Sequence, residues 1–414
     1  MTNIQLIFPI LVVLVLVLKL YLNNRQAQSI NSHFNNVPNK FAETISLDTH
    51  QKSGNYTIAK LKLSNISIII NSIILIILTT GGFIQYLDTF IGNRIVDTPI
   101  THGVVLIITI SIINMVFELP LNLYATFNIE ERFGFNRMTI GLFIRDTIKS
   151  LILSAIIGIP LLYLILWLMS VMGNLWWFWV WCALSVFSIL IMLIYPTFIA
   201  PLFNKFTPLE DESLRTRIYD LLNKCGFKSS GIFVMDGSKR SSHGNAYFTG
   251  IGKSKRIVFF DTLLKHLTHE EIEAILAHEL GHFKRKHIIK QIGLSFIINL
   301  IAFYILGLLI NQPDFYHALG VNNITNYNAL ILFIFALGIV VFPFSPITSY
   351  LSRKNEFEAD DFAKQYSNKD ALISGLVKLY KENASTLTPD DIYAKFYYSH
   401  PPASIRIAHL EKDT

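Results

Sequence analysis

Leu151–Met172 reads LILSAIIGIPLLYLILWLMSVM, a run without a single charged side chain. A helix needs about 20 mostly apolar residues to cross the roughly 30 Å of bilayer hydrocarbon, and this run supplies them. The same test picks out Ile4–Leu22, Ile66–Phe90, Val104–Leu123, Trp176–Ala200, Ile292–Ile310 and Ala329–Tyr350, giving seven spans. The composition agrees. Of 414 residues, 52% are hydrophobic and 15% charged, against about 25% charged in a soluble domain, and the mean hydropathy is +0.44. Apolar surface in that excess needs lipid to cover it, which excludes a soluble protein. The first run lacks a basic leader and a small-residue cleavage site, so it is expected to be a retained span and not a signal peptide.

Lys and Arg fall on alternate loops, and that asymmetry orients the chain. Arg25, Lys40, Lys52, Lys60 and Lys62 follow the first span, and Arg132, Arg137, Arg145 and Lys149 follow the third. The intervening loops hold Arg94 and little else. The amino terminus is therefore expected outside, with Pro201–Lys290 and Ser352–Thr414 facing the cytosol. The net charge of +6 follows this pattern, and no nucleic-acid-binding motif accompanies it. With two distant cysteines, Cys182 and Cys225, any metal must be held by His and carboxylate.

The chemistry is expected in the two polar segments. Asn245–Phe248 and Arg256–Phe260 read as strands around a turn-rich Gly250–Ser254. Thr268 with Glu271 three residues on is a capping box, and Ile272, Ile275, Leu276, Leu280 and Phe283 recur at helical spacing behind it. That helix carries His278-Glu279-Leu280-Gly281-His282, the H-E-x-x-H pattern. Residues four apart stand one above the other, so His278 and His282 can bind one tetrahedral ion. Glu279, rotated about 100° from His278, is placed to take a proton from attacking water and pass it to a leaving amine. A catalytic zinc wants a third protein ligand. Glu356 and Asp360 share a helical face in Asn355–Asp360, NEFEAD, so Glu356 can bind the metal while Asp360 holds an imidazole. The same carboxylates would also suit a solvated acidic helix start. Glu358 points elsewhere and is the poorer ligand. His287 and Lys284-Arg285-Lys286 are expected to mark the membrane surface, and His243 is expected to be structural.

HELGH, NEFEAD and the later Ser399-His400-Pro401-Pro402 with Arg406 together resemble the CAAX prenyl endopeptidases, seven-span zinc-dependent membrane proteases. NIEERFGFNRMT at Asn128–Thr139, IAPLFNKFTPL at Ile199–Leu209 and Asn245–Leu264 extend the resemblance through nearly the whole chain after the first loop. It implies a mostly α, seven-span membrane protein enclosing a water-filled chamber, with a cytosol-facing zincin-like domain holding a small β-hairpin or sheet. Residues 1–200 would form a five-span membrane region. Residues 201–414 would form the peptidase domain, interrupted by spans near 292–310 and 329–350. One Zn2+ per chain would be bound by His278, His282 and Glu356, with Glu279 as base and Asp360 behind the ligands. His400 and Arg406 would contact the substrate backbone and stabilise the tetrahedral intermediate. Asn245, Ala246 and Tyr247 would pair with an extended substrate. Glu118, a carboxylate at membrane depth, would line the chamber or cap a helix at the interface.

The resemblance implies a peptide or protein substrate, a carboxy-terminal CAAX segment cut after its prenyl-cysteine. The expected partners are that substrate and the lipid bilayer, with no nucleic acid; the oligomeric state is open. Leu410–Thr414 carries no retrieval motif, which points to a bacterial inner membrane, or to the endoplasmic reticulum if the source is eukaryotic. In a bacterium the same chemistry would serve to degrade misfolded or stalled membrane proteins. An intramembrane protease would place H-E-x-x-H inside a span, and here Glu270, Glu271, Glu273 and Lys284–Lys286 surround it. A zinc transporter or scaffold would leave Glu279 idle.

Overall fold

The structure, a computed structural model, describes residues 3–93, 98–250 and 255–412. Arg94 and residues 251–254 of the expected turn lie outside the described residues. Among the described residues seven helices are long and apolar enough to cross a membrane: Gln5–Ser32, Leu47–Leu78, Pro99–Phe133, Ile140–Val171, Gly173–Leu202, His287–Leu309 and Asn326–Tyr366. Between 6% and 28% of each apolar window is buried. The remainder is apolar surface of the kind that lipid covers.

The second span departs from the sequence reading. Ile66–Phe90 is not one helix: Leu47–Leu78 ends, Gly82 turns through a left-handed φ of 77°, and Phe83–Gly92 begins separately. Glycine alone adopts that conformation without steric cost. The spanning helix starts at Leu47, where the Ser46 hydroxyl accepts from the Thr49 amide. Lys52, Lys60 and Lys62, expected in a loop, ride on it. Its 32 residues run about 48 Å against about 30 Å of hydrocarbon, so part of it stands clear of the bilayer. The last span likewise continues past Tyr350. Asn326–Val341 leads through a tight turn at Phe342–Phe344 into Ser345–Tyr366, the helix that carries Glu356 and Asp360.

The polar segments fold together. Four strands, β1 (Phe206–Pro208), β2 (Gly231–Met235), β3 (Ala246–Thr249) and β4 (Arg256–Phe260), form a sheet in the order β1-β2-β4-β3 among the described residues. β2 and β4 are parallel, and the outer pairs antiparallel. β3 is an edge strand, held to β4 with Ala246 opposite Phe259. The expected pair of strands is present, and β1 and β2 enlarge it. The H-E-x-x-H helix, His269–Lys284, opens on the expected capping box. Glu271 also pairs with Lys378 at 2.8 Å and accepts from Ser374 at 2.6 Å, binding this helix to Lys369–Glu382. Ile272, Leu276 and Leu280 are buried against Ile218, Leu222, Phe259, Leu372 and Phe362.

Gly281 sets how close the two ligand-bearing helices come. A Cβ at this position would lie 2.9 Å from Ala359 Cα and 3.1 Å from the Ala359 carbonyl oxygen. Backbone cannot yield there, so Gly281→Ala is expected to destabilise the protein by about 1–3 kcal/mol. Its thermal unfolding midpoint in detergent should fall together with its zinc content. An unchanged midpoint would show that the helices are not in contact at Gly281.

Candidate metal centre

His278 and His282 lie one turn apart, so both Nε2 atoms face the Ser345–Tyr366 helix, 3.2 Å from each other. Glu356 Oε2 is 3.3 Å from His278 Nε2, and Glu356 Oε1 is 3.2 Å from His282 Nε2. Donors about 2.0–2.1 Å from a tetrahedral zinc stand roughly 3.3–3.4 Å from one another. The two imidazole nitrogens are near that distance from each other, and each is near it from one of the two Glu356 oxygens. Glu356 Oε2 is buried and, although His400 Nδ1 is 2.7 Å away, it receives no well-directed hydrogen bond. Leaving a carboxylate oxygen so placed is costly unless a cation meets it. Two imidazoles and a carboxylate are also a donor set that suits zinc.

The surrounding hydrogen bonds fix which imidazole nitrogens are free. His278 Nδ1 lies 2.8 Å from Asp360 Oδ1 and 3.2 Å from Arg406 Nη2; with its proton given to the carboxylate, the Nε2 lone pair is left facing the cluster. Asp360 is wholly buried and is gripped by Arg406, through Nε to Oδ2 at 2.9 Å and Nη2 to Oδ1 at 2.5 Å. Burial and the Arg406 charge work against protonation of the His278 imidazole, but Asp360 and Glu356 prevail and its pKa is raised to about 9. The two carboxylates thus favour positive charge at the cluster, whether a proton or a bound cation.

His282 is held in the same way by residues the sequence reading assigned elsewhere. His282 Nδ1 lies 3.0 Å from His287 Nδ1, and His287 Nε2 lies 3.1 Å from Glu358 Oε2. One tautomer set satisfies both contacts: His287 donates to Glu358, and His282 donates to His287. The expectation that His287 marks the membrane surface is thereby corrected. It is buried, because Lys286 adopts a left-handed φ of 58° and turns the chain back on the metal helix. Its spacing of five from His282 and the helix break between them were the available signals. Lys284, Arg285 and Lys286 are exposed, as expected of a surface run.

A cleft of about 170 Å3 lies before the cluster and is lined by Asn245, Ala246, Glu279, His400 and Arg406 together with Ile275, Leu372 and Leu376. Glu279 is partly exposed there beside His278. The His400 side chain is 62% exposed. Arg406 is mostly committed to Asp360, with Nη1 3.6 Å from Glu356 Oε2. Ala246 packs toward the metal helix. Tyr247 does not: strand alternation turns its side chain to the other face, among Tyr195, Pro196 and Phe233, so only its backbone is available at the edge. His243 ties Glu130, at 3.4 Å, to Asn383, at 3.3 Å, as a structural residue would. Glu118 is exposed on the third span.

The family model described as "CAAX prenyl protease N-terminal, five membrane helices" matches residues 26–205, and that of peptidase family M48 matches residues 208–414. The chain belongs to peptidase family M48. CAAX prenyl protease 1 of Saccharomyces cerevisiae is 34% identical, over 94% of this chain and 91% of the yeast protein. The Homo sapiens CAAX prenyl protease 1 homolog is 31% identical, over 91% of this chain and 88% of its own length. The crystal structure of S. mikatae Ste24p superposes with a TM-score of 0.92 at 34% identity, covering 100% of both chains. This M48 peptidase is thus a multi-pass membrane zinc metalloendopeptidase.

Asp360→Asn removes a charged acceptor from His278 without altering His278, His282 or Glu356. It is expected to weaken zinc binding by about 10–100-fold. Zinc retention against a graded chelator measures this, and wild-type retention would refute the role given to Asp360.

Proposed function

We propose that His278, His282 and Glu356 hold the zinc and that Glu279 is the general base and acid of peptide-bond hydrolysis. The spacing of the three donors, which matches a tetrahedral ion, carries this reading. Bound zinc is a Lewis acid that makes a nucleophile of water at neutral pH. Glu279 takes the proton as water adds to the scissile carbonyl, and delivers it to the leaving nitrogen as the C–N bond breaks. His400, exposed in the cleft, donates to the oxyanion. Arg406 works chiefly by fixing Asp360, and Asp360 by fixing His278. The open edge of β3 pairs with an extended substrate through the backbone of Asn245, Ala246 and Tyr247.

The substrate we propose is a carboxy-terminal CAAX segment, cut between its prenyl-cysteine and the next residue. The names of the relatives support this, and so does the apolar wall of Ile275, Leu372 and Leu376, which suits the aliphatic residues of such a segment. They favour this reading over quality control of membrane proteins. Eukaryotic relatives also support the endoplasmic reticulum over a bacterial inner membrane, with the catalytic side cytosolic by the Lys and Arg pattern. We read residues 1–200 as the membrane region and 201–414 as the peptidase domain; the two matched family models, over 26–205 and 208–414, support a division close to this one.

In detergent, the purified protein is expected to cut a farnesylated CAAX peptide after its cysteine, faster than the unprenylated twin. Chelator should abolish the reaction and added zinc restore it. Glu279→Gln should retain zinc yet lose about 10²–10⁴-fold in kcat. A fully active Glu279→Gln would remove Glu279 from the mechanism, and failure to cut either peptide would remove the substrate.

A further inference from the structure

The metal cleft shares His400 and Asn383 with a larger adjoining cavity of about 510 Å3. That volume lies within the roughly 300–1,000 Å3 of small-ligand pockets. Tyr56, Tyr380 and Tyr398 stand in its wall, Lys60 is its cation, and no carboxylate among the described residues lines it. Lys60 is exposed, and its contacts are with Tyr56, Nζ to hydroxyl at 3.4 Å and Nζ to ring centroid at 4.8 Å. The nearby acid, Glu130, sits behind Tyr56, accepting its hydroxyl at 2.5 Å and facing His243.

The direction of β3 says which end of a substrate reaches this cavity. Antiparallel pairing is the more stable and the more common arrangement at a free edge. A substrate antiparallel to Ala246–Thr249 runs past Thr249 first, and its carboxy-terminal end leaves the strand at Asn245 and Gly244. Gly244 donates its amide to Asn383 Oδ1 at 3.1 Å, and Asn383 lines both cavities. The residues beyond the cut are thus led from the cleft toward the tyrosines and Lys60.

We propose that this cavity receives the carboxy-terminal end of the substrate and that Lys60 is the counter-charge for its free α-carboxylate. The inference rests on the CAAX reading above, whose leaving segment is short and ends in that carboxylate. A pocket whose described lining holds Lys60 and His400 and no carboxylate favours such an end over a chain that continues. Lys60 then adds to specificity, by favouring a scissile bond that lies close to a free chain terminus.

The test uses the full-length, zinc-loaded protein in detergent and a farnesylated CAAX peptide with either a free carboxylate or a carboxy-terminal amide. Wild type is expected to cut the acid with a kcat/KM roughly ten-fold above that for the amide. Lys60→Gln should remove most of that preference and Lys60→Arg should keep it, with zinc content the same in all three. Equal wild-type rates on acid and amide would overturn the proposal while leaving the CAAX reading intact, as would a Lys60→Gln defect equal on both peptides. If wild type cuts neither, the CAAX reading fails and this proposal with it. Should Lys60→Gln not retain zinc, the acid-to-amide ratios of wild type and Lys60→Arg decide.

Discussion

The backbone of one helix lies against another at Gly281 and Ala359, and the metal centre exists only because they approach so closely. His278 and His282 come from the first helix; Glu356 and Asp360 come from the second, on the far side of two membrane spans. A side chain at Gly281 would hold the carboxylates away from the imidazoles. With the two helices in contact, the donors stand at zinc-ligand spacing, and the outer residues fall into place around them. Asp360 and Arg406 brace one imidazole, while His287 and Glu358 brace the other.

The membrane region takes part in this site through helices that outrun the bilayer. Leu47–Leu78 extends beyond the hydrocarbon and brings Tyr56 and Lys60 beside the cleft. The last span continues, through the turn at Phe342–Phe344, into the helix of Glu356 and Asp360. Glu356 and Asp360 are therefore mounted on the continuation of a span, whereas His278, Glu279 and His282 stand on a separate helix that leads into one.

Local features were legible in the sequence. The spans showed as apolar runs, the metal helix as a capped 3.6-residue period, and the paired ligands as spacings of four. Each of these depends on residues within a turn or two of one another. The second span was misplaced because hydropathy across Ile66–Phe90 outweighed Thr79-Thr80-Gly81-Gly82, a breaker signal that the structure honours. Family resemblance, and not spacing, pointed to His400 and Arg406.

By itself, the sequence determined that this is a membrane protein carrying an H-E-x-x-H metal helix, and that Glu356 and Asp360 share a face suited to complete it. It could not determine which groups meet across long separations. That Arg406 grips Asp360, that His287 turns back to hold His282, that Tyr247 offers only backbone, and that Lys60 faces a cavity beside the metal were all decided by tertiary packing. The physical reason is that periodicity reports a residue's own helix or strand, whereas a hydrogen bond or cavity depends on how separate elements dock.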